Sequence, residues 1–179
     1  MARNTKPIVQ KDTPVLRQVA QPIPVGDILS PAIQTIIAEM FAALETQEDG
    51  AALAAPQIGY NLRIFVVSKT LFGSHETARY KTAEHRYVFI NPEIIKLSRS
   101  KKLLDEGCLS VRGWYGTVQR SERATVRAYD EQGQLFERGA SGLLAQVFQH
   151  EVDHLNGTLF IDHAQELWEV DMASVGKDS

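Results

Sequence analysis

Apolar residues recur at helical spacing in two stretches of the chain and gather into short runs elsewhere. After Ser30-Pro31 come Ile33, Ile36, Ile37, Met40, Phe41 and Leu44, the single stripe of an amphipathic helix. Serine suits the cap and proline the first helical position, and the helix is expected to end before Asp49-Gly50. A second helical stretch runs from about Ser141 to Asn156-Gly157, a good C-terminal stop. Residues 63–68 and 87–90 are predicted strands, the latter stopped by Asn91-Pro92, with a further strand over 94–97. Another strand over 124–129 turns through 130–133 into a hairpin with 135–137. Pro14, Pro22 and Pro24 predict an extended arm over 13–26. Residues 71–86 are polar and read as a surface loop, and Arg99-Ser100-Lys101-Lys102 reads as a solvated turn. Strands preceding one buried helix predict an α+β fold.

The second helix carries the chemistry. Its residues Gln149-His150-Glu151-Val152-Asp153-His154 contain HExxH. Two histidines four apart share one helix face, so both imidazoles can reach one divalent ion. Glu151 then sits beside that ion, placed to handle the protons of a water molecule. At about 100° per residue, Leu143, Leu144, Val147, Phe148 and Leu155 fall on one half of the helix. His150, Glu151 and His154 lie with them, while Gln146, Gln149 and Asp153 lie opposite. Imidazoles and a carboxylate turned into a core are costly unless something satisfies them, and a metal would. Core histidines bonded to backbone are the plainer alternative, which leaves Glu151 unexplained.

An open metal site of this kind needs a third protein ligand. A further histidine six residues after His154 would serve, but that position is Phe160. Glu166 and Glu169 lie downstream with only a short tail to hold them. Upstream, Glu106-Gly107-Cys108-Leu109-Ser110 contains the only cysteine. A lone thiol is commonly a small buried hydrophobe. It could also be the nucleophile of a cysteine hydrolase with His150 or His154 as base, which would leave the other histidine and Glu151 idle. The run from Gly50 to Gly59 is filled with small residues. Either a backbone packs closely there or a ligand approaches it.

Composition narrows the setting. The 179 residues are 44% hydrophobic and 23% charged, ordinary for one domain spanning 1–179, with 1–12 and 165–179 expected to be peripheral or flexible. A net charge of −3 gives no basic field for gripping nucleic acid. No stretch is long enough to cross a bilayer, and one cysteine excludes an intrachain disulfide. A cytoplasmic protein without membrane or nucleic-acid contacts is expected.

Taken together, Gly50 to Gln57, EGCLS at Glu106 to Ser110, and HEVDH at His150 to His154 resemble, in order, the three signatures of the peptide deformylases. The likeness extends from Leu16-Arg17 through Asn91-Pro92-Glu93 to Phe160. It implies antiparallel sheets packed around a central metal-binding helix. It implies that Cys108, His150 and His154 bind one divalent metal, Fe²⁺ favoured and Zn²⁺ compatible, with Glu151 as general base and acid. Gln57 and the Leu109 N–H would stabilise the oxyanion. Gly50, Ala51 and Ala52 would hold the substrate backbone, and Leu143, Gln146 and Val147 would border its side chain. The substrates implied are N-formyl-methionyl nascent peptides, which lose formate. Three departures stand out: Ala52 where the family usually has glycine, Arg112 where it has proline, and Gln146 where it has an apolar residue. A methyl at Ala52 is expected to push the substrate backbone outward. A metal-binding relative with lost or altered turnover is the alternative these departures raise. Some members dock on ribosomes through a longer basic C-terminal helix. Here the tail is short and acidic, with Glu166, Glu169 and Asp171, so only a transient ribosome contact is expected.

Overall fold

A computed structural model describes residues 5–68, 71 and 88–170. The predicted loop over 71–86 and the first residue of the strand predicted at 87 therefore fall, Leu71 apart, outside the described residues.

Helix α1 (Pro31–Glu45) begins as expected, with the Ser30 hydroxyl accepting from the Ile33 N–H at 3.4 Å. It buries Ile33, Ile37, Met40, Ala43 and Leu44. Five strands form one antiparallel sheet: β1 (Ala52–Ala54), β2 (Ile64–Val67), β3 (Val88–Leu97), β6 (Arg123–Tyr129) and β7 (Leu135–Ser141), in the order β1-β2-β3-β6-β7. A second antiparallel sheet has the order β4-β5-β8, from β4 (Lys101–Gly107), β5 (Trp114–Ser121) and β8 (Glu166–Glu169). Helix α2 (Gly142–Leu155) follows β7 directly.

The five-stranded sheet is covered on both faces, which explains the unbroken apolar run of β2. Ile64 and Val66 face α1 with Ile33, Ile37 and Met40. Phe65 and Val67 face α2 with Phe89, Val126, Leu144 and Phe148. There Phe65 stacks on Phe89 with centroids 4.5 Å apart, and Phe148 meets Phe89 at 5.1 Å. This aromatic cluster fixes where helix α2 lies.

Three local expectations need correction. Asn91-Pro92 does not stop a strand: β3 runs on to Leu97 through a register shift between Ile90 and Glu93. The irregularity absorbs the missing proline N–H, and Asn91, at φ 50°, is braced by a two-way side-chain bond to the Ile23 backbone at 2.7 and 2.8 Å. Lys101-Lys102 is not a turn but the start of β4, opposite Ser121 and Arg120. The proline-rich arm also contains two short 3-10 turns, Pro14–Arg17 and Val25–Asp27.

Candidate active site

The site forms where the turn after β4 meets the middle of α2. Cys108 enters from that turn, where its Sγ accepts from the Ser110 N–H at 3.4 Å. His150 and His154, one turn apart on α2, approach each other with ring centroids 4.9 Å apart. Ligand atoms from Cys108, His150 and His154 all lie within 4.8 Å of one another. The Cys108 Sγ is 3.3 Å from His154 Nε2. Glu166 and Glu169, the downstream alternatives for a third ligand, are exposed on β8 and stand outside this group.

The surroundings set the orientation of these ligands. His150 Nδ1 lies 3.0 Å from Glu106 Oε2, which turns the other ring nitrogen toward the cysteine. Glu106 is itself clamped by Arg120, Nε to Oε1 at 2.7 Å and Nη2 to Oε2 at 2.9 Å. Arg120 Nη1 also donates to Asp153 Oδ2 at 2.6 Å. Burial would raise the Glu106 pKa, yet the hydrogen bonds from Arg120 and His150 outweigh it and hold the carboxyl at about 2. Glu106 is thus ionised at neutral pH and fixes the His150 ring, as expected for a partner of a metal-ligating histidine. Burial lowers the His154 pKa well below its usual value, keeping that ring neutral, the state a ligand needs.

Glu151 is 3% exposed, and its Oε2 has no hydrogen-bond partner among the described residues, nor does His154 Nδ1. Burial pushes the Glu151 pKa up to about 7. A cation nearby would draw it down again. A soft thiolate and two imidazoles within a few ångströms, next to an unpartnered buried carboxylate, fit a divalent transition metal.

A cleft of about 310 Å³ opens onto Cys108, His150 and Glu151. Gln57 borders it from the 3-10 turn Ala55–Ile58 that follows β1, with Pro56 near its start. Its Oε1 accepts from the Ala54 N–H at 2.8 Å, and its Nε2 faces Ser110 Oγ at 3.2 Å and Cys108 Sγ at 3.6 Å. Leu109, Ala51, Ala52, Leu143, Gln146 and Val147 also border the cleft. Gly50 does not. A Cβ there would come 2.7 Å from Leu44 Cδ1, so the absence of a side chain at Gly50 serves close packing against α1.

Several readings of the helix and loop change here. Leu143, placed by periodicity on the buried half of α2, is 58% exposed. Gln149, placed on the polar half, is buried and bonded to both the N–H and the carbonyl of Ser121 at 2.9 Å. The reason is that α2 is packed on two sides, so a single apolar stripe does not describe it. The Ala52 methyl belongs to the apolar cluster beneath α2 as well as to the cleft wall. Arg112 bonds to Asp49 Oδ2 at 3.1 Å and to Gln47, and Gln146 Nε2 donates to the Asp105 carbonyl at 3.0 Å. Sequence reasoning missed Arg120 entirely. It sits on a strand that showed no apolar alternation, paired with Lys102, and its long side chain runs along the shared face of β4 and β5 to reach Glu106.

A helix-borne histidine pair, a third ligand from a separate loop and an unligated carboxylate beside them place the chain among the metallohydrolases. Comparison with known proteins resolves the class further. The family model described as polypeptide deformylase matches residues 5–169. The peptide deformylase of Bartonella quintana is 39% identical over 164 residues, covering 90% of this chain and 85% of that protein. The crystal structure of peptide deformylase from Thermotoga maritima superposes with a TM-score of 0.77 at 32% identity, covering 92% of this chain and 100% of that one. A Legionella pneumophila peptide deformylase gives 0.76 at 37% identity over 90% of this chain and 86% of that one. The chain belongs to the peptide deformylase family.

Proposed function

We propose that this enzyme removes the N-formyl group from formyl-methionyl nascent polypeptides, with Glu151 as the group that moves the proton. The observation carrying this reading is the buried, unpartnered carboxylate of Glu151 beside Cys108, His150 and His154. Cys108, His150 and His154 would hold a divalent ion, which would supply the Lewis acidity that makes water nucleophilic near neutral pH. Glu151 accepts the proton of the attacking water and delivers it to the leaving amine. Gln57 Nε2 and the Leu109 N–H are the donors for the developing oxyanion. Gln57 is held for that role by its bond from the Ala54 N–H. We favour Fe²⁺, with Zn²⁺ compatible with the same S/N₂ donors.

The substrate backbone is proposed to lie extended along Gly50, Ala51 and Ala52. β1 is an edge strand of its sheet, so its outer edge has main-chain groups for an added strand. Leu143, Gln146 and Val147 then border the methionine side chain. Such substrates arise at ribosomes, so a cytoplasmic location with transient ribosome contact follows from this reading. No described helix is long and apolar enough to cross a membrane.

Formate release from formyl-Met-Ala-Ser, measured anaerobically with Fe²⁺-loaded protein, is the direct test. Glu151→Ala should retain stoichiometric metal and lose roughly 10²–10⁴ in kcat. Loss of metal together with activity would instead make Glu151 a ligand. Cys108→Ala should empty the site, and a fully metallated Cys108→Ala protein would return the thiol to the role of nucleophile.

A further inference from the structure

Residues 8–10, close to the start of the chain, meet the site at two carbonyls. The Val9 N–H donates to the Gln57 carbonyl at 2.9 Å. The Gln10 side chain donates from Nε2 to the Leu109 carbonyl at 3.2 Å. Both acceptors belong to residues that border the catalytic cleft. Packing seats this segment. Ile8 lies against the apolar cluster that contains Ile58 and Leu109, while Val9 and Cys108 both lie against the one built on Leu16, Val111 and Phe160. Gln10 Nε2 also faces the Ile8 carbonyl at 3.4 Å, and the Thr13 N–H donates to the Gln10 carbonyl at 2.8 Å. The amide of Gln10 is therefore held from both sides of its own residue.

The Leu109 carbonyl and the Ser110 N–H are the two ends of one planar peptide group. That N–H donates to Cys108 Sγ at 3.4 Å. A chain of hydrogen bonds thus runs from Gln10, through a peptide group, to the thiol sulfur. Leu109 is 9% exposed, and among the described residues no other donor reaches its carbonyl. Linked hydrogen bonds polarise one another in a low-dielectric interior. A donor on the carbonyl makes the N–H at the other end a better donor. It also resists rotation of the peptide plane, which would take the N–H away from the sulfur. The other amide aimed at the sulfur, Gln57 Nε2, is farther off at 3.6 Å.

We propose that Gln10 is a positioning residue for the metal site, setting through the Leu109–Ser110 peptide how much charge the Cys108 sulfur gives to a bound ion. The inference rests on Cys108 being a metal ligand. Hydrogen bonds to a ligating sulfur withdraw electron density from it and leave the ion a stronger Lewis acid. Gln10 is exposed and lies outside the cleft lining, so it acts on the reaction only through Cys108.

The test compares wild type with Gln10→Met, each loaded with Co²⁺. Methionine keeps the length of the side chain without an N–H donor, and its apolar tip hinders water from replacing the amide. The thiolate-to-Co²⁺ charge-transfer absorption should move to lower energy in the variant, because a sulfur with a weaker hydrogen bond gives up an electron more easily. With Fe²⁺ in place, kcat for formyl-Met-Ala-Ser should fall about fivefold, the worth of roughly one hydrogen bond, with KM within about twofold of wild type. Gln10→Ala leaves room for a water at the Leu109 carbonyl and should lie between the two in both readouts. An unmoved absorption band in Gln10→Met overturns the proposal even where activity falls, since a packing defect alone leaves the sulfur's electrons as they were. So does a raised KM at unchanged kcat, which would place Gln10 in substrate binding. A wild-type protein that binds Co²⁺ without any thiolate charge-transfer band would remove Cys108 from the ligands, and this proposal with it.

Discussion

Against the five-stranded sheet, α2 presents Leu144, Val147, Phe148 and Leu155 to an apolar layer built on Phe65 and Phe89. Against the three-stranded sheet it presents Gln149 to the Ser121 backbone, Asp153 to Arg120 and His150 to Glu106. The first contact is non-directional and roughly proportional to area. It fixes where the helix lies and contributes most of the stability. The second contact is directional, because each bond holds only at short range and near-linear geometry. It fixes how the helix is rotated and which ring nitrogen of His150 faces Cys108. One wall thus makes a fold, and the other makes that fold a metal site.

The sharpest way to break this comparison is Glu106→Ala. It leaves the Arg120 guanidinium, whose side chain is 8% exposed, with Asp153 alone. Removing one partner of a buried ion pair costs about 3–5 kcal/mol. Loss of the carboxylate behind a metal-ligating histidine weakens metal binding by about 10–100-fold. Chemical denaturation and metal competition should both register the change. Phe148→Ala, on the opposite wall, should cost a similar 3–5 kcal/mol. The folded fraction should nevertheless bind metal with nearly wild-type affinity. If Phe148→Ala weakened metal binding as much as Glu106→Ala, the two walls would not have separate roles.

Acid gives a milder version of the same test. The folded Glu106 pKa of about 2 lies below the ordinary 4.5, so the folded state favours the ionised form. The resulting stability is fully present above about pH 4.5 and is lost as pH falls from there toward 2. In metal-free protein, Glu106→Gln should flatten the decline of unfolding free energy over that window. A wild-type decline that persists unchanged in Glu106→Gln would assign the acid sensitivity to other carboxylates.

The same contrast explains what the sequence made legible. The apolar wall was readable because its pattern is local: the α1 stripe and Leu144, Val147, Phe148 and Leu155 of α2 recur at helical spacing, and Ile64–Val67 is an unbroken apolar run. HExxH was readable for the same reason, since four residues span one helical turn. The polar wall depends on pairings between distant residues. Arg120 is paired with Lys102 in the register of β4 with β5, and it is the length of its side chain, running along the same face, that reaches Glu106. These strands, with exposed residues such as Lys101, Lys102 and Gln119, carry no clean alternation. Asn91-Pro92 misled because a proline ordinarily ends a strand, and the irregularity that tolerates it is secured by Ile23, far away in sequence. Cys108 as third ligand came from the resemblance of EGCLS to a known family, not from spacing.

Ala52 gives the smallest effect and tests the border between the walls. A methyl where the family usually has glycine was expected to crowd the substrate backbone, so that Ala52→Gly would raise kcat/KM. The structure argues otherwise. Ala52 is 7% exposed and packs in the apolar cluster with Val67 and Val147, with its backbone opposite Val67 in the sheet. Most of the methyl group therefore serves the five-stranded side, and the peptide would meet chiefly the backbone edge of β1. Replacing it with glycine removes that packing and loosens the strand, at a cost of about 0.5–1 kcal/mol. The expected result is a small fall in thermal stability with kcat/KM within about threefold of wild type, since a tenfold change would require about 1.4 kcal/mol in the transition state. Both variants should be assayed at equal metal occupancy. A tenfold or greater rise in kcat/KM for formyl-Met-Ala-Ser would show that the methyl does obstruct the substrate, and would move Ala52 from the apolar wall to the catalytic one.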